Sequence, residues 1–570
     1  MNGGAWLADR FAISNASDIF TLALTVVLIA LGSYTLRAVV IAITRWLGVY
    51  HPAYYRYWPR TGLRLALRVW INITHWWEKV RHMGKRSTAG FASVRAAMTL
   101  LYTPTKLHLG RLYAFGFGLQ QPVGIEMARH LFMYAMTGGG KTTALVTIIS
   151  AWQGSVFIID PKRQVTHALQ HHDARTWVVI EPYGKDSASF NVFDCIKNAM
   201  ARFGDDSAVL WAFRVAEALI VTPSGSRTPF FTDTARGFLA ALVLHVLSTH
   251  DESEHNLSFV RKRMVNGYRV FDDEGKEVET TEDERHELLY RAMADNPAFN
   301  GTISGGVAAI KNAAGETAGN VRSTLLEQTK WLDIPQVAGV LLNTDLLLGD
   351  LKTRNDVVMS FAAPVLSIRE ELAPLSRLLT NMLSYTFQDE PNKNGQCLTV
   401  IDELPAQGHN ATLEVVIPVA RSQGMSVLGI AQNIELMRNA YPKTYNIFTG
   451  EADAVLWAGI NHKETAKHLS ELLGKTTLIE TDDYTGNQSY REVDVLSEDQ
   501  VKRFLAPDSH NLIVTRAGAR ALRLKNEPYF KALPVWAYAP DPDHREPLPR
   551  RLMRRLLDPH INPDSGATHE

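Results

Sequence analysis

The chain has 570 residues, 46% of them hydrophobic, with 59 lysines and arginines balanced by 59 aspartates and glutamates. That length exceeds what one core fills, so two or more domains are expected. The zero net charge excludes a globally basic nucleic-acid-binding surface, so any such contact must be local. Cys195 and Cys397 are the only cysteines, which excludes a disulfide framework, and the 19 histidines show no ligand spacing that would imply a structural metal.

In chain order, Ile19 to Leu36 comes first, an uncharged and mostly apolar run. As a helix it would extend about 27 Å against a hydrocarbon core of about 30 Å. Only Arg10 precedes it as a basic residue and no small-residue cleavage signature follows, so an uncleaved anchor is expected rather than a signal peptide. From Arg37 to Arg86 basic residues accumulate, with Glu78 their only acidic companion. The positive-inside rule puts this side in the cytoplasm and the N-terminus outside. A second apolar stretch, Leu63 to Trp77, is interrupted by Arg64 and Arg68 and fits an interfacial amphipathic helix better than a second span, the alternative being a two-span hairpin that would put Arg45, Arg56 and Arg60 outside.

Leu131 to Thr143 reads as a buried strand, a glycine-rich turn and a helix that begins at Lys141. Gly138, Gly139 and Gly140 allow backbone to approach phosphate, with the positive end of the helix dipole behind them. With Thr137 and Thr143 on its flanks, this loop would bind ATP. Lys141 would reach the β- and γ-phosphates, and the Thr142 hydroxyl would hold Mg2+. One departure from G-x-x-x-x-G-K-[ST] stands out, because the first glycine is Ala135 here. The competing reading is an ordinary strand-to-helix turn.

Helical periodicity follows at Ala212 to Ile220, Ala235 to Leu247 and Asn320 to Leu332. Within it, Arg261-Lys262-Arg263 precedes an acidic stretch from Asp272 to Glu287, which reads as a docking surface or as a solvated helix face. Downstream, the apolar run Leu398 to Ile401 delivers Asp402 and Glu403 to the carboxyl end of a strand, where parallel sheets place ligands. Asp402 would hold the Mg2+ shell and Glu403 would polarise an attacking water. A solvated acidic turn is the alternative, weakened by the upstream loop and by Gln432 at the end of the further apolar stretch Ser426 to Ala431. The tail from Arg545 carries Arg550, Arg551, Arg554 and Arg555 and could bind a partner.

These motifs resemble the type IV coupling proteins, the TraG/TraD-like ATPases of conjugation and type IV secretion. The resemblance runs through LHLGR (107–111), the phosphate loop, FIIDPKRQ (157–164), IDELPAQG (401–408), VARSQGMSVLGIAQN (419–433) and KETAKHLSELLGKTT (463–477). It implies an α/β fold: a RecA-like P-loop nucleotide-binding domain split into 91–194 and 356–540, with an inserted all-α domain at 195–355. An N-terminal transmembrane anchor (1–90) and a C-terminal tail (541–570) complete the organisation. Gln432 looks like the family's γ-phosphate sensor, and Arg421 stands where the family places an arginine that reaches a neighbouring subunit's nucleotide. Asp160 and Lys162 are expected to line the same cleft.

The resemblance further implies an inner-membrane homohexamer, with most of each chain cytoplasmic. It would recruit a relaxase-DNA or protein substrate and drive single- or double-stranded DNA into a type IV secretion channel. An FtsK/HerA-type chromosomal translocase and a nucleotide-binding docking scaffold without turnover are the alternatives. Neither a multi-span anchor nor a C-terminal winged helix supports the former.

Overall fold

A computed structural model of the chain describes residues 90–557, apart from 104–105, 115–118, 127–129, 223–229, 271–273, 275–277, 313–315, 391–395, 482–487 and 542–545. The expected anchor (Ile19 to Leu36), the interfacial segment (Leu63 to Trp77) and the last tail residues lie outside the described residues. The strands are β1 (Lys106–Ala114), β2 (Leu119–Glu126), β3 (Leu131–Ala135), β4 (Ser155–Asp160), β5 (Thr176–Ile180), β6 (Val357–Ala362) and β7 (Cys397–Ile401). After them come β8 (Met425–Ala431), β9 (Ala454–Ala458), β10 (Lys475–Thr481), β11 (Gln488–Asp494), β12 (Asn511–Arg516) and β13 (Ala519–Lys525).

Two compact units share the chain. One holds the described residues up to Ile125, with Gly138–Ser150 and everything from Ala458 onward; the other holds Glu126–Thr137 and Ala151–Trp457. In the second unit the strands lie in the order β9-β3-β8-β7-β4-β6-β5. From β3 to β5 every neighbouring pair is parallel. β3, β4, β6, β7 and β8 are buried along their whole length, which is why they read as continuous apolar runs without alternation. Cys397 lies inside β7, where burial pushes its thiol up to about 12.

The crossover from β5 to its parallel neighbour β6 is filled by helices, among them Val192–Phe203, Ser207–Leu219, Phe230–Thr249, Leu257–Asn266, Glu282–Ala294, Thr302–Lys311 and Glu316–Thr329. Phe230–Thr249 is long and apolar enough to cross a bilayer, yet 61% of its apolar window is buried inside the protein. Its Phe238, Leu239, Leu242 and Val243 form core, and Gly306 allows the neighbouring helix so close that an added Cβ would lie 2.5 Å from that of Ala241. The basic triplet is largely used inside this region. Buried Arg261 pairs with Asp333 at 2.6 Å and donates to the Thr329 hydroxyl, and the Arg263 guanidinium stacks over Phe259 and Tyr268.

In the first unit, β2-β1-β13-β12 form a sheet whose β1/β13 and β12/β13 pairs are antiparallel, and β10 and β11 form a separate antiparallel ribbon. Helix Leu548–Leu557 carries the tail arginines. Two of them face inward: Arg554 pairs with Glu546 at 2.8 Å, and Arg550 donates to the Tyr538 hydroxyl.

Candidate active site

β3 runs through Met136 and Thr137 into the glycine loop and then the helix Lys141–Ala151. Gly138 (φ 77°) and Gly140 (φ 90°) adopt left-handed backbone that suits glycine. No acid occupies the first helical turn, so the positive end of the helix dipole meets no carboxylate from its own turn and suits an anion. Lys141, at the helix start, is 8% exposed.

Two residues that the sequence does not point to back this loop. Asn526 Nδ2 donates to the Gly140 carbonyl oxygen at 2.8 Å, and a Cβ on Gly140 would lie 2.5 Å from the same nitrogen. Gly459 (φ 56°) approaches so closely that a Cβ there would lie 2.4 Å from Gly139 Cα. Asn526 follows the last strand and Gly459 follows β9, hundreds of residues downstream, so no local pattern could link them to the loop.

The parallel register explains the other half. Tyr134 is level with Ala431 and Ile401 with Gly429, so the ends of β3, β8 and β7 share one carboxyl edge. Thr137, Gln432, Asp402 and Glu403 all emerge there, as ligand residues do in doubly wound sheets. Asp402, half-buried, donates its backbone N–H to the Ile159 carbonyl, and its Oδ1 accepts from the Glu403 N–H at 3.1 Å. Glu403 is 3% exposed and sits at φ 58°, an uncommon conformation for a residue with a Cβ that costs on the order of 1–3 kcal/mol. Its Oε1 accepts a hydrogen bond from Gln432 Nε2 at 2.8 Å, which holds the buried carboxylate in place.

The remaining candidates separate. Asp160 is buried and occupied: its Oδ2 accepts from the Thr166 N–H and hydroxyl, both at 2.8 Å, tying the end of β4 to the helix Gln164–Leu169. Burial raises its pKa, opposed by those hydrogen bonds. Lys162 is exposed beside it. Arg421 begins a short turn after the helix Ala411–Ala420; its guanidinium is exposed and has no ion pair among the described residues.

A glycine loop that leads from a parallel strand into a helix, with carboxylates and a glutamine at the ends of two neighbouring strands, defines a P-loop α/β fold of RecA type. The family model for Type IV secretory system Conjugative DNA transfer matches residues 89–559, and the chain belongs to that family. The conjugal transfer protein TraG of Rhizobium radiobacter is 26% identical over 360 residues, covering 61% of this chain and 53% of that protein. A TraG of Escherichia coli is 25% identical over 449 residues, covering 70% of this chain and 67% of that protein. The chain thus spans about half the length of the first of these relatives.

The fold is also that of the bacterial conjugative coupling protein TrwBdeltaN70 in complex with sulphate, at a TM-score of 0.58 and 14% identity over 80% of this chain and 97% of that one. TrwB in complex with ADP and Mg2+ matches at a TM-score of 0.57, with 14% identity and the same coverage. The family expected from the motifs is therefore the family found.

Proposed function

We propose that this chain is the inner-membrane ATPase of a conjugative or secretory apparatus, which recruits a relaxase-DNA or protein substrate and drives its transfer into a type IV secretion channel. The observation that carries the reading is the buried Glu403, held in a left-handed turn by Gln432 at the carboxyl edge of the sheet.

In this reading Thr137, Gly138, Gly139, Gly140, Lys141, Thr142 and Thr143 bind the phosphates of ATP. The Thr142 hydroxyl and the Asp402 carboxylate, both only partly buried, are the hard oxygen donors that Mg2+ requires. When bound, Mg2+ neutralises phosphate charge. Glu403 accepts a proton from the attacking water as the water oxygen bonds to the γ-phosphorus and the bond to the β-phosphate oxygen breaks, with ADP leaving on that oxygen, and Gln432 couples the position of Glu403 to the γ-phosphate. Arg421, exposed and without an ion pair among the described residues, reaches the nucleotide of an adjacent subunit in a homohexamer. Its planar fork suits charge spread over phosphate oxygens.

The organisation proposed is a membrane anchor at 1–90 with Ile19 to Leu36 as its span, a nucleotide-binding domain at 91–194 and 356–540, an all-α domain at 195–355 and a tail at 541–570. The helices that fill the β5 to β6 crossover support the insertion. DNA contact falls to loops that line a shared pore, since the chain as a whole is neutral.

Plasmid transfer from a donor strain that lacks the gene, complemented by the parent chain or by Glu403→Gln, tests this function. Transfer restored by the parent alone is expected. Transfer that persists without the gene, or defective chromosome segregation in its place, rules the reading out. ATP hydrolysis that is absent with and without DNA would point to a docking scaffold.

A further inference from the structure

Helix Ala373–Asp389 carries a charge that the nucleotide reading leaves unused. Arg377 is 9% exposed, and no carboxylate pairs with it among the described residues. Its Nη1 donates to the Gln407 carbonyl oxygen at 2.8 Å, while its Nε has no partner among the described residues. Burial draws its pKa down to about 10, which still leaves it cationic at neutral pH. A buried guanidinium without a counter-charge destabilises a fold, and an apolar side chain of similar length would serve the core better. Such breaches of packing rules concentrate at functional sites.

The bond falls on the segment that aims Glu403. Leu404–Gln407 form a single 3-10 turn, with Glu403 as its N-cap. The turn is bracketed by left-handed backbone at Glu403 (φ 58°) and Gly408 (φ 71°). Inside it, Ala406 N–H donates to the Glu403 carbonyl oxygen at 2.7 Å and Gly408 N–H to that of Pro405 at 3.1 Å. The Gln407 carbonyl at the end of this turn is therefore a fastening point to the helix, and a hydrogen bond from a cation is roughly twice as strong as a neutral one. Strained backbone of the Glu403 kind persists only where its surroundings over-determine it.

The helix that holds Arg377 is fixed at its far end. Asp389 pairs with Arg214 at 2.6 Å, the Arg214 guanidinium lies 4.3 Å from the Tyr385 ring centroid, and buried Lys352 donates to the Phe387 carbonyl oxygen at 2.5 Å. Arg377 thus projects from a braced rod rather than from a loop, the arrangement that holds a site to sub-ångström tolerance.

We propose that Arg377 is a positioning residue for ATP hydrolysis. Through the Gln407 carbonyl it locks the Leu404–Gln407 turn so that Glu403 stays aimed at the attacking water. This rests on the reading of Glu403 as the water-polarising carboxylate.

The test compares the full-length parent with Arg377→Met, Arg377→Lys and Glu403→Gln, with steady-state ATP hydrolysis and thermal melting as readouts. Arg377→Met removes the buried charge at nearly constant volume. It is expected to melt at or above the parent temperature and to keep the parent KM for ATP, with kcat lower by about ten- to a hundred-fold. Arg377→Lys keeps a charged donor and should recover part of that kcat. The proposal is overturned if the methionine variant is folded and turns over at the parent rate, if it unfolds or loses kcat only together with thermal stability, or if lysine recovers nothing. Parent-rate hydrolysis by Glu403→Gln overturns instead the reading of Glu403 itself. A dead Glu403→Gln beside a parent-like Arg377→Met overturns the positioning role alone.

Discussion

Gln432 Nε2 and Glu403 Oε1 are 2.8 Å apart, and their hydrogen bond joins the ends of β8 and β7. The glutamine leaves a neutral strand end and the glutamate a left-handed turn, so the amide fixes the carboxylate without neutralising it. Removing the base should therefore differ from removing its support.

Glu403→Gln should leave ATP binding intact and lower hydrolysis by ~10²–10⁴-fold, because the lost group acts on water and not on the bound nucleotide. Gln432→Leu should lower kcat less and leave KM for ATP near the parent value. Phosphate release and binding of a fluorescent ATP analogue measure both. If the glutamine variant hydrolyses at the parent rate, Glu403 is not the catalytic carboxylate.

Gly459→Ala should abolish nucleotide binding while the rest of the chain stays folded. A Cβ there would lie 2.4 Å from Gly139 Cα, and the residue would be forced to keep φ at 56°, so the phosphate loop must move. Asn526→Leu, which removes the donor to the Gly140 carbonyl, should weaken ATP binding by roughly 1 kcal/mol, or about fivefold. Calorimetric titration with ATP and Mg2+ reads both, and parent-like affinity in Gly459→Ala would show that the loop tolerates displacement.

A Lys141→Ala subunit lacks the loop but keeps Arg421, whereas an Arg421→Ala subunit lacks the arginine but keeps the loop. Each protein alone should be inactive, with the arginine effect on the order of 10³-fold. Mixed under conditions that allow assembly, the two should regain activity at interfaces where an intact Lys141 meets an intact Arg421. Near-parent turnover by assembled Arg421→Ala, or a dead mixture with mixed hexamers verified, would return Arg421 to the surface.

Acid should loosen the helical region. His245 is 2% exposed and bonded to the Tyr268 hydroxyl at 2.8 Å; burial, followed by the charges of His250 and Arg263, pulls its pKa from 6.5 down to about 4. Between those values the unfolded chain takes up a proton that the folded one refuses, so stability is retained above about pH 6.5 and falls as pH drops toward 4. The loss is about 2 kcal/mol by pH 5. Hydrogen exchange along helix Phe230–Thr249 should lose protection over that window, and His245→Gln should flatten the slope. An unchanged slope in that variant would place the titration elsewhere.

The catalytic candidates were legible because their chemistry is local. A strand, three glycines, Lys141 and Thr142 specify a phosphate loop within one turn of chain, and a buried parallel strand that ends in two carboxylates advertises its edge through its continuous apolar run. Helix Lys141–Ala151 begins at the residue that pattern marks, and β7 and β8 end where their apolar runs end. Solvation could not be read the same way: Arg261, Arg550 and Arg554 look like surface cations in a string of letters, and only packing shows that they are buried and hydrogen-bonded. Asp160 likewise ends its strand as an expected cleft residue, and only the fold shows that its Oδ2 ties the strand end to Thr166. The sequence by itself determined the residue types and spacing of the phosphate loop and the carboxylate pair. The tertiary structure alone decided that Asn526 and Gly459 back the loop, that Gln432 grips Glu403, and that Arg377 fastens its turn, because each is a contact between segments that only the closing of the sheet and its helices brings together.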